Sequence, residues 1–326
     1  WNTFYSVMAK ANEIIALYPE GGNTDKEKGL IGQAYAVRGM AYYYLVQLYQ
    51  NCVKADGTIN SDAPAVPMKL LAVEGATEEQ IDAAMGRNTV KDLFNQIESD
   101  YSKAIENLQN YAPESKNEIS LQVALGLQAR YYLLSQQWSK AEASARSAQV
   151  GYTIMDEKGL QDGFMDISNS EWMWGFDHNT ETQTTYASFF SMISSIAPGY
   201  AGLGYNTNLI DARLYGMMND TDFRKQYWFN GPDGNNKYDS YGATLPYANT
   251  KFGSDGNWTM DYVYMRAAEM VLIEAEALAR QGKNTEAATA LKKLMAKRDP
   301  SWNMPSVSAE DVVLQRRIEL WGEGFA

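Results

Sequence analysis

The sequence predicts a mainly helical protein whose scaffold is interrupted by one irregular, aromatic-rich subdomain. Toward both ends, apolar residues recur at the 3.6-residue spacing of amphipathic helices, and helices are predicted at 1–17, 30–50, 88–110, 118–135, 138–150, 261–281, 284–297 and 308–322. Residues 152–260 instead contain many glycines and hold twenty of the forty aromatic residues. We therefore expect one integrated domain, with a helical scaffold over 1–151 and 261–326 and a loop-rich ligand subdomain over 152–260.

Two of the predicted helical hairpins share a pattern of small residues. Ala129 and Ala141 are twelve positions apart, and Ala275 and Ala287 repeat that separation. Small side chains at such positions let two antiparallel helices approach closely, which is typical of tetratricopeptide repeats. Gly282 is predicted at the turn of the second hairpin, so we expect a tetratricopeptide-like scaffold.

Arg38 lies within the apolar stripe of the tyrosine-rich helix predicted at 30–50. Because Tyr42 and its neighbours flank alanines on that stripe, we interpret the tyrosines as packing between helices and not as a ligand platform. An unpaired charge in such a stripe would cost several kcal/mol. A buried salt bridge is therefore expected at Arg38, with Glu269 or Glu274 as candidate partners.

The net charge and the rare residues exclude several classes of function. The chain of 326 residues has a formal charge of -12, which disfavours nucleic acid and anionic membrane surfaces as partners. Cys52 and His178 are the single cysteine and histidine, which excludes a disulfide, a thiolate metal site and a histidine-rich zinc site. The run 233–244 lacks the glycine and glutamate of an EF-hand loop. We expect no cofactor, and only an irregular calcium site stays open.

The stretch 182–210 is the most unusual part of the sequence, because it contains no charge and is rich in Ser, Thr, Gly and Asn. Aromatic rings stack on the C–H faces of neutral sugars, while amides and hydroxyls bind the sugar hydroxyls. The candidates for this chemistry are Tyr186, Tyr200, Tyr205, Asn206 and Asn208. A buried loop that packs the subdomain, or a surface for a partner protein, would have a similar composition.

Tryptophans outside that stretch are further candidates. Alternation along a predicted strand places Trp172, Trp174 and Phe176 on one face. Such a face is either a sugar platform or, more commonly, a sheet surface packed on helices. Trp228 and Trp258 lie in loops flanked by asparagine and glycine. Trp228 and Trp258 are both looser candidates, and we keep Trp174 and Trp228 among the candidate ligand residues.

Four segments, in order along nearly the whole chain, resemble the SusD/RagB family of nutrient-binding outer-membrane lipoproteins. They are 1-WNTFYSVMAKANEII-15, 33-QAYAVRGMAYYYLVQLY-49, 264-YMRAAEMVLIEAEAL-278 and 316-RRIELWGEGF-325. The last is similar to the family's closing Arg-Arg-x-Glu-Leu-x-x-Glu-Gly signature, although Gln315 stands where the family usually has glutamate. The family's N-terminal part, with its lipidated cysteine, and the segment after the Glu-Gly have no counterpart here. We therefore expect this chain to be a piece of a longer protein.

The resemblance implies a tetratricopeptide scaffold and non-catalytic binding of glycans, or in some members peptides, at the cell surface. It also implies an N-terminal lipid anchor in the outer membrane of a Gram-negative bacterium and a TonB-dependent transporter as partner. In the family, aromatic residues between the central strand and the next helix commonly contact glycan. Tyr186 and Tyr205 match those positions best.

Two other functions stay open from the residues alone. A tetratricopeptide scaffold could bind peptides or proteins in the groove of its repeats. An α/α-barrel glycoside hydrolase would also be acidic, helical and aromatic-rich, but it needs two carboxylates about 5–10 Å apart. The carboxylates in the aromatic loops, which show no evident pair, are Asp177, Glu181, Asp211, Asp220 and Asp222.

Overall fold

The structure, a computed structural model, describes residues 1–72, 76–183, 186–235 and 237–325. The chain divides into two compact units, Trp1–Val150 and Gly151–Ala326. Positions 184 and 185 of the uncharged stretch lie outside the described residues, as does position 236 of the run compared with an EF-hand. Within the described part of the chain, no helix is both long enough and apolar enough to cross a membrane.

The first unit is built mainly of helices that the apolar periodicity predicts. Its elements are α1 (Asn2–Ala16), α2 (Asp25–Tyr49), β1 (Pro64–Pro67), α3 (Glu78–Ala83), β2 (Arg87–Thr89), α4 (Val90–Asn107), α5 (Leu121–Leu134) and α6 (Trp138–Ala148). Helix α2 begins earlier than predicted because Thr24 and Glu27 form a capping box that satisfies the first backbone N–H groups. The pattern did not predict α3 or the short antiparallel pair of β1 and β2.

Arg38 is buried and salt-bridged, as predicted, but its partners differ from the expected ones. Its Nη2 and Nε donate to the two carboxylate oxygens of Asp100 on α4, at 2.7 and 3.0 Å. Its Nη1 donates to Asn12 on α1 at 2.8 Å. Helix α2 packs against both α1 and α4, so Asp100 takes the role proposed for Glu269 or Glu274. Tyr42 is fully buried, as the packing interpretation predicts, whereas Tyr49 at the end of the helix is 46% exposed.

The second unit contains the irregular region and the last helices. Its elements are a 3-10 turn (Gly159–Gln161), β3 (Trp172–Phe176), α7 (Phe189–Ile193), α8 (Ala212–Gly216), α9 (Phe223–Tyr227), α10 (Tyr241–Thr244), β4 (Tyr262–Arg266), α11 (Ala267–Arg280), α12 (Asn284–Met295) and α13 (Ala309–Glu319). The prediction of one helix over 261–281 is wrong at its start, because residues 262–266 form a strand antiparallel to β3. Aromatic and β-branched residues such as Tyr262 and Val263 favour strands.

The two hairpins with matched alanines close with the same turn. Ala129, Ala141, Ala275 and Ala287 are all fully buried, at the contact of α5 with α6 and of α11 with α12. In the first turn the N–H of residue 137 donates to the carbonyl of 132, and in the second that of 283 donates to 278. Such a bond is the outer one of a Schellman motif. The hairpin pattern therefore extends to the backbone of the turns.

A buried ion network holds the second unit together. Four cations pair with four anions, and the members are Arg224, Lys251, Arg266, Arg298, Glu171, Asp222, Glu319 and Glu323. Burial alone would raise the pKa of Glu319, but the charges of Arg298, Arg266 and Arg224 hold that pKa well below its usual range. The two signature glutamates of the closing segment, Glu319 and Glu323, are thus structural.

Candidate functional site

Three of the predicted tyrosines come together at the surface of the irregular region. The exposed fractions of Tyr186, Tyr200 and Tyr205 are 48%, 40% and 81%. The rings of Tyr186 and Tyr200 lie 5.5 Å apart between centroids and are inclined by 76°. The backbone N–H of Tyr205 donates to the carbonyl of Tyr200 at 3.1 Å. The uncharged stretch therefore exposes two tyrosine rings in contact, with the backbone of a third, more exposed tyrosine bonded to one of them.

Two further rings extend this surface. Trp258, a looser candidate from the sequence, is half-buried, and its ring centroid lies 6.2 Å from that of Tyr186. Tyr241 at the start of α10 is 64% exposed and lies over Gly204, where an added Cβ would come within 2.5 Å of its ring. We call Tyr186, Tyr200, Tyr205, Tyr241 and Trp258 the aromatic patch.

The sequence pattern did not single out Tyr241, which lies in the run 233–244 that resembles a calcium loop. The signal was present, since Tyr241 is an aromatic residue followed by glycine in a polar loop. The same type of neighbourhood pointed to Tyr205.

Hydrogen bonds between two loops fix the patch. Within the first loop, Ser191 Oγ accepts from the N–H of Tyr200 at 3.2 Å. The carbonyl of Gly202 accepts from Ser240 Oγ and from the N–H of Gly242, both at 2.7 Å. Only glycine fits at position 202, because an added Cβ would lie 1.9 Å from a backbone oxygen. The loops that carry Tyr200, Tyr205 and Tyr241 are therefore joined by their backbones.

The two predicted asparagines have different surroundings. The Asn208 side chain is half-buried and donates through Nδ2 to the carbonyl of Met192 at 2.6 Å, so it braces the loop. Asn206 is exposed, and its backbone N–H donates to the carbonyl of Tyr200 at 3.2 Å. Asn206 therefore places an amide at the surface next to Tyr205, whereas Asn208 has a structural bond.

Trp228 is not a ligand residue, and the prediction for it is corrected. Its side chain is fully buried, and its Nε1 donates to the carbonyl of Leu160 at 2.9 Å. The ammonium of Lys251 lies 4.4 Å from its ring centroid. Asparagine and glycine neighbours suggested an exposed loop, but the ring fills the hydrophobic core that also contains Phe164. No ring face is left for a ligand.

The aromatic residues of β3 do not form one uniform face. Trp172 is buried and Phe176 is 36% exposed, while Trp174 between them is half-buried. The ring of Trp174 lies 5.1 Å from that of Tyr264 on β4. The register shifts on both sides of Trp174, which breaks the simple alternation of a strand. Trp174 stays a candidate on a different element from the aromatic patch.

Three of the carboxylates in the aromatic loops serve the local structure. Asp211 caps α8 and pairs with Arg213 at 2.9 Å. Hydrogen bonds from Arg213 lower the pKa of Asp211 to about 2. Asp222 pairs with Arg224 within the ion network, and Asp220 pairs with Lys225. Across the described ranges, no group of three or more His, Cys, Asp or Glu residues is arranged to hold a metal ion.

His178 packs between aromatic rings. Its ring centroid lies 4.7 Å from that of Phe176 and 4.5 Å from that of Tyr262. Its Nδ1 is 2.9 Å from the carbonyl oxygen of Thr182, which orients the imidazole within its own loop.

Comparison with known proteins finds one matching family model for each end of the chain. A family model described as "Starch-binding associating with outer membrane" matches residues 1–133, and the model of the SusD family matches residues 214–325. A search of curated proteins finds no match.

Solved structures share the fold over the whole chain. A SusD-like carbohydrate binding protein from Bacteroides vulgatus is 27% identical, with a TM-score of 0.80, over 100% of this chain and 67% of its own. A SusD superfamily protein from Bacteroides thetaiotaomicron is 21% identical, with a TM-score of 0.80, over 100% and 72%. A laminarin binding SusD-like protein is 18% identical, with a TM-score of 0.73, over 99% and 75%.

These similarities confirm the mainly helical, tetratricopeptide-like fold that the sequence predicts. One family model matches the first part of the chain and another its last part, and the structures align over its full length. The chain is therefore similar to SusD family proteins at both of its ends and shares the fold of SusD-like structures over its full length.

Proposed function

We propose that this chain binds a glycan at the aromatic patch, does not cleave it, and passes it to a TonB-dependent transporter in the outer membrane. The observation that carries the proposal is the exposure of adjacent aromatic rings within a stretch that has no charge. Tyr205 is 81% exposed, so most of its ring surface is accessible to a ligand. Related proteins named for carbohydrate or laminarin binding support the ligand class.

The geometry of the patch suits a sugar chain. Pyranose rings offer apolar C–H faces for stacking, and their hydroxyls bind amides and phenols. Because Tyr186 is inclined by 76° to Tyr200 and by 37° to Trp258, the rings would contact a ligand from more than one side. The exposed amide of Asn206 and the tyrosine hydroxyls supply hydrogen-bonding groups near these rings.

Binding without hydrolysis is the favoured activity. Glycoside hydrolysis uses an acid and a second carboxylate flanking the scissile bond. Asp211, Asp220 and Asp222 are paired with basic residues that order their own loops. We propose no cofactor for the same site, because stacking and neutral hydrogen bonds need none.

The cellular setting follows from the family. One matching model is described as associating with the outer membrane. We therefore propose that the full-length protein is lipid-anchored at the extracellular face of that membrane, beside a TonB-dependent transporter. Co-expression with the transporter encoded next to its gene, followed by co-purification from detergent, tests this partner. Recovery of the transporter free of this protein would contradict it.

A panel of soluble polysaccharides tests the ligand. Affinity electrophoresis and calorimetry should detect binding of laminarin, starch or another neutral glycan by the wild-type chain, with no release of reducing ends. Tyr186→Ala should weaken that binding. Tyr49→Ala is a matched control, because Tyr49 is 46% exposed in the first unit and Tyr186 is 48% exposed. Release of reducing ends would support the hydrolase alternative, and binding of peptides alone would support the repeat-groove alternative.

A further inference from the structure

Trp258 has a backbone conformation that bulky residues rarely adopt. Its φ is 61°, in the left-handed region, and the only other described non-glycine residues with positive φ are Gln136, Phe164 and Tyr247. For an L-residue with a large side chain this region is disfavoured, so the surrounding structure must impose it. Phe164 is a buried core residue, whereas Trp258 is half-buried beside an exposed tyrosine.

One carboxylate closes the loop that contains Trp258. Asp255 Oδ1 accepts from the N–H groups of Asn257 and Trp258 at 2.8 and 3.0 Å. Asp255 Oδ2 accepts from the N–H and the hydroxyl of Thr259 at 3.2 and 2.6 Å. Four donors therefore converge on one side chain. Both oxygens are engaged within the loop, which makes Asp255 a structural clamp and not a contact for a ligand.

The clamp is present at neutral pH. Partial burial by itself would raise the pKa of Asp255, but the hydroxyl of Thr259 and the three backbone N–H groups outweigh it and lower the pKa. The carboxylate is therefore ionised, and its hydrogen bonds are charge-assisted.

The clamped loop sets the position of the indole. The ring of Trp258 is inclined by 37° to that of Tyr186, and its inner part packs on the core cluster that includes Phe252. An extended or helical backbone at position 258 would send the side chain in a different direction from the loop. The left-handed conformation thus determines that the indole lies next to Tyr186.

From this geometry we infer that Asp255 is a positioning residue, which holds Trp258 in the orientation that lets its indole contact the ligand together with Tyr186. The inference rests on the proposed function of the aromatic patch. It assigns a specific role to an acidic residue that touches no sugar.

A double-mutant cycle tests this coupling. Trp258→Ala should weaken glycan binding by roughly 5–150-fold, the range for losing one stacked aromatic ring. Asp255→Ala should also weaken binding, and Asp255→Asn, which retains the acceptor for two N–H groups, should restore part of it. If Asp255 acts through Trp258, the double variant binds no more weakly than Trp258→Ala alone. A purely structural role would instead give additive losses with a lowered melting temperature.

Asp56→Ala is the matched control. Asp56 accepts from the N–H and the hydroxyl of Thr58 at 2.9 and 2.7 Å, so it closes a similar turn in the first unit without an aromatic ring. This variant should bind glycan like the wild type.

A measurement on the protein without ligand distinguishes the positioning of Trp258 by Asp255 from the proposed binding of glycan. In protein labelled with 5-fluorotryptophan, the Trp258 resonance is assigned by its loss in Trp258→Phe, and Asp255→Ala should shift it. An unshifted resonance, or wild-type affinity in Asp255→Ala, would overturn the positioning role. Failure of the wild type to bind any glycan would overturn the proposed function and the ligand contact of Trp258, while the fluorine spectrum still decides what Asp255 does.

Discussion

Arg266 and Glu319 meet in the core of the second unit, with Nη1 of the arginine 2.8 Å from Oε1 of the glutamate. Glu319 also accepts hydrogen bonds from Arg298 at 2.9 Å and from Arg224 at 3.1 Å. One carboxylate thus neutralises part of three buried guanidinium groups. In this chain, Glu319 of the closing segment therefore serves to pair and hydrogen-bond buried arginines.

Glu319→Gln should be strongly destabilising. The substitution keeps the shape but removes the charge that faces three arginines, and breaking a buried ion pair typically costs about 3–5 kcal/mol. Urea unfolding followed by circular dichroism measures the loss. Glu286→Gln, on the exposed side of α12, is the control and should change stability by less than about 0.5 kcal/mol. Equal stabilities for the two variants would contradict the role of the network.

The free energy of unfolding should decrease in acid, because the buried ion network contains glutamates with lowered pKa values. The pKa values of Glu319 and Glu323 are lowered in the folded chain, since their cationic neighbours outweigh burial. A carboxylate whose pKa is lower in the folded than in the unfolded chain stabilises the fold when it is ionised. This stabilisation is fully present above the usual pKa of 4.5 and is lost as the pH falls through the folded-state pKa. Unfolding free energies measured between pH 7 and pH 3 should therefore decrease below about pH 4.5, and less steeply in Glu319→Gln. A flat profile in the wild type would argue against this assignment.

The helical hairpins were predictable because their information is local. Periodicity and the spacing of Ala129 with Ala141 depend only on residues within one hairpin, and the structure bears both out. Burial of Arg38 was likewise evident from its own helix. Its partner Asp100 was not, because 62 positions separate them and only the packing of α2 on α4 brings them together.

The aromatic residues were harder to place because similar local sequences have opposite environments. Trp228 and Trp258 both have asparagine and glycine nearby, yet one is in the core and the other is at the surface. The difference lies in their tertiary contacts. Lys251 and Phe164 pack against the ring of Trp228, whereas Trp258 lies in a loop closed by hydrogen bonds to Asp255. No periodic signal encodes such differences in a region of four- and five-residue helices.

Substitutions at the equivalent turn residues Gln136 and Gly282 should change stability in opposite directions. Both have positive φ, at 60° and 76°, and glycine adopts this conformation without steric cost. Gly282→Ala should lose about 1 kcal/mol of stability, while Gln136→Gly should gain up to about 1 kcal/mol. Thermal melting of the two variants checks the signs. A stabilising Gly282→Ala would show that the turns are not equivalent.

The patch should prefer neutral glycans over acidic ones. No lysine or arginine occurs in 182–210, and the charges in 252–261 are the acidic Asp255 and Asp261. In the loop of Tyr241, Lys237 is accompanied by Asp233 and Asp239. An anionic sugar chain would therefore meet a net negative charge, and like charges disfavour association. In calorimetry, polygalacturonate should bind at least about 10-fold more weakly than the best neutral glycan, and added salt should not weaken the neutral one. Tighter binding of polygalacturonate would refute this preference.

Tyr205→Ala and Tyr42→Ala should separate binding from folding. Tyr205 is 81% exposed, so its truncation removes a ring from the patch and little packing. Affinity for glycan should fall by about 1–3 kcal/mol, by analogy with base–aromatic stacking, with an unchanged melting temperature. Tyr42 is fully buried, and its hydroxyl both donates to and accepts from the backbone of Lys69, at 3.1 and 2.8 Å.

Removing the Tyr42 ring should therefore cost about 3–5 kcal/mol of stability, the range for large aromatic truncations in a core. Glycan affinity of the fraction that stays folded should match the wild type. Calorimetry beside a melting curve, on both variants, measures the two effects. Full affinity in a well-folded Tyr205→Ala would exclude that ring from the ligand contacts. The site would then be restricted to the other patch residues, in which the ring of Tyr186 contacts those of Tyr200 and Trp258.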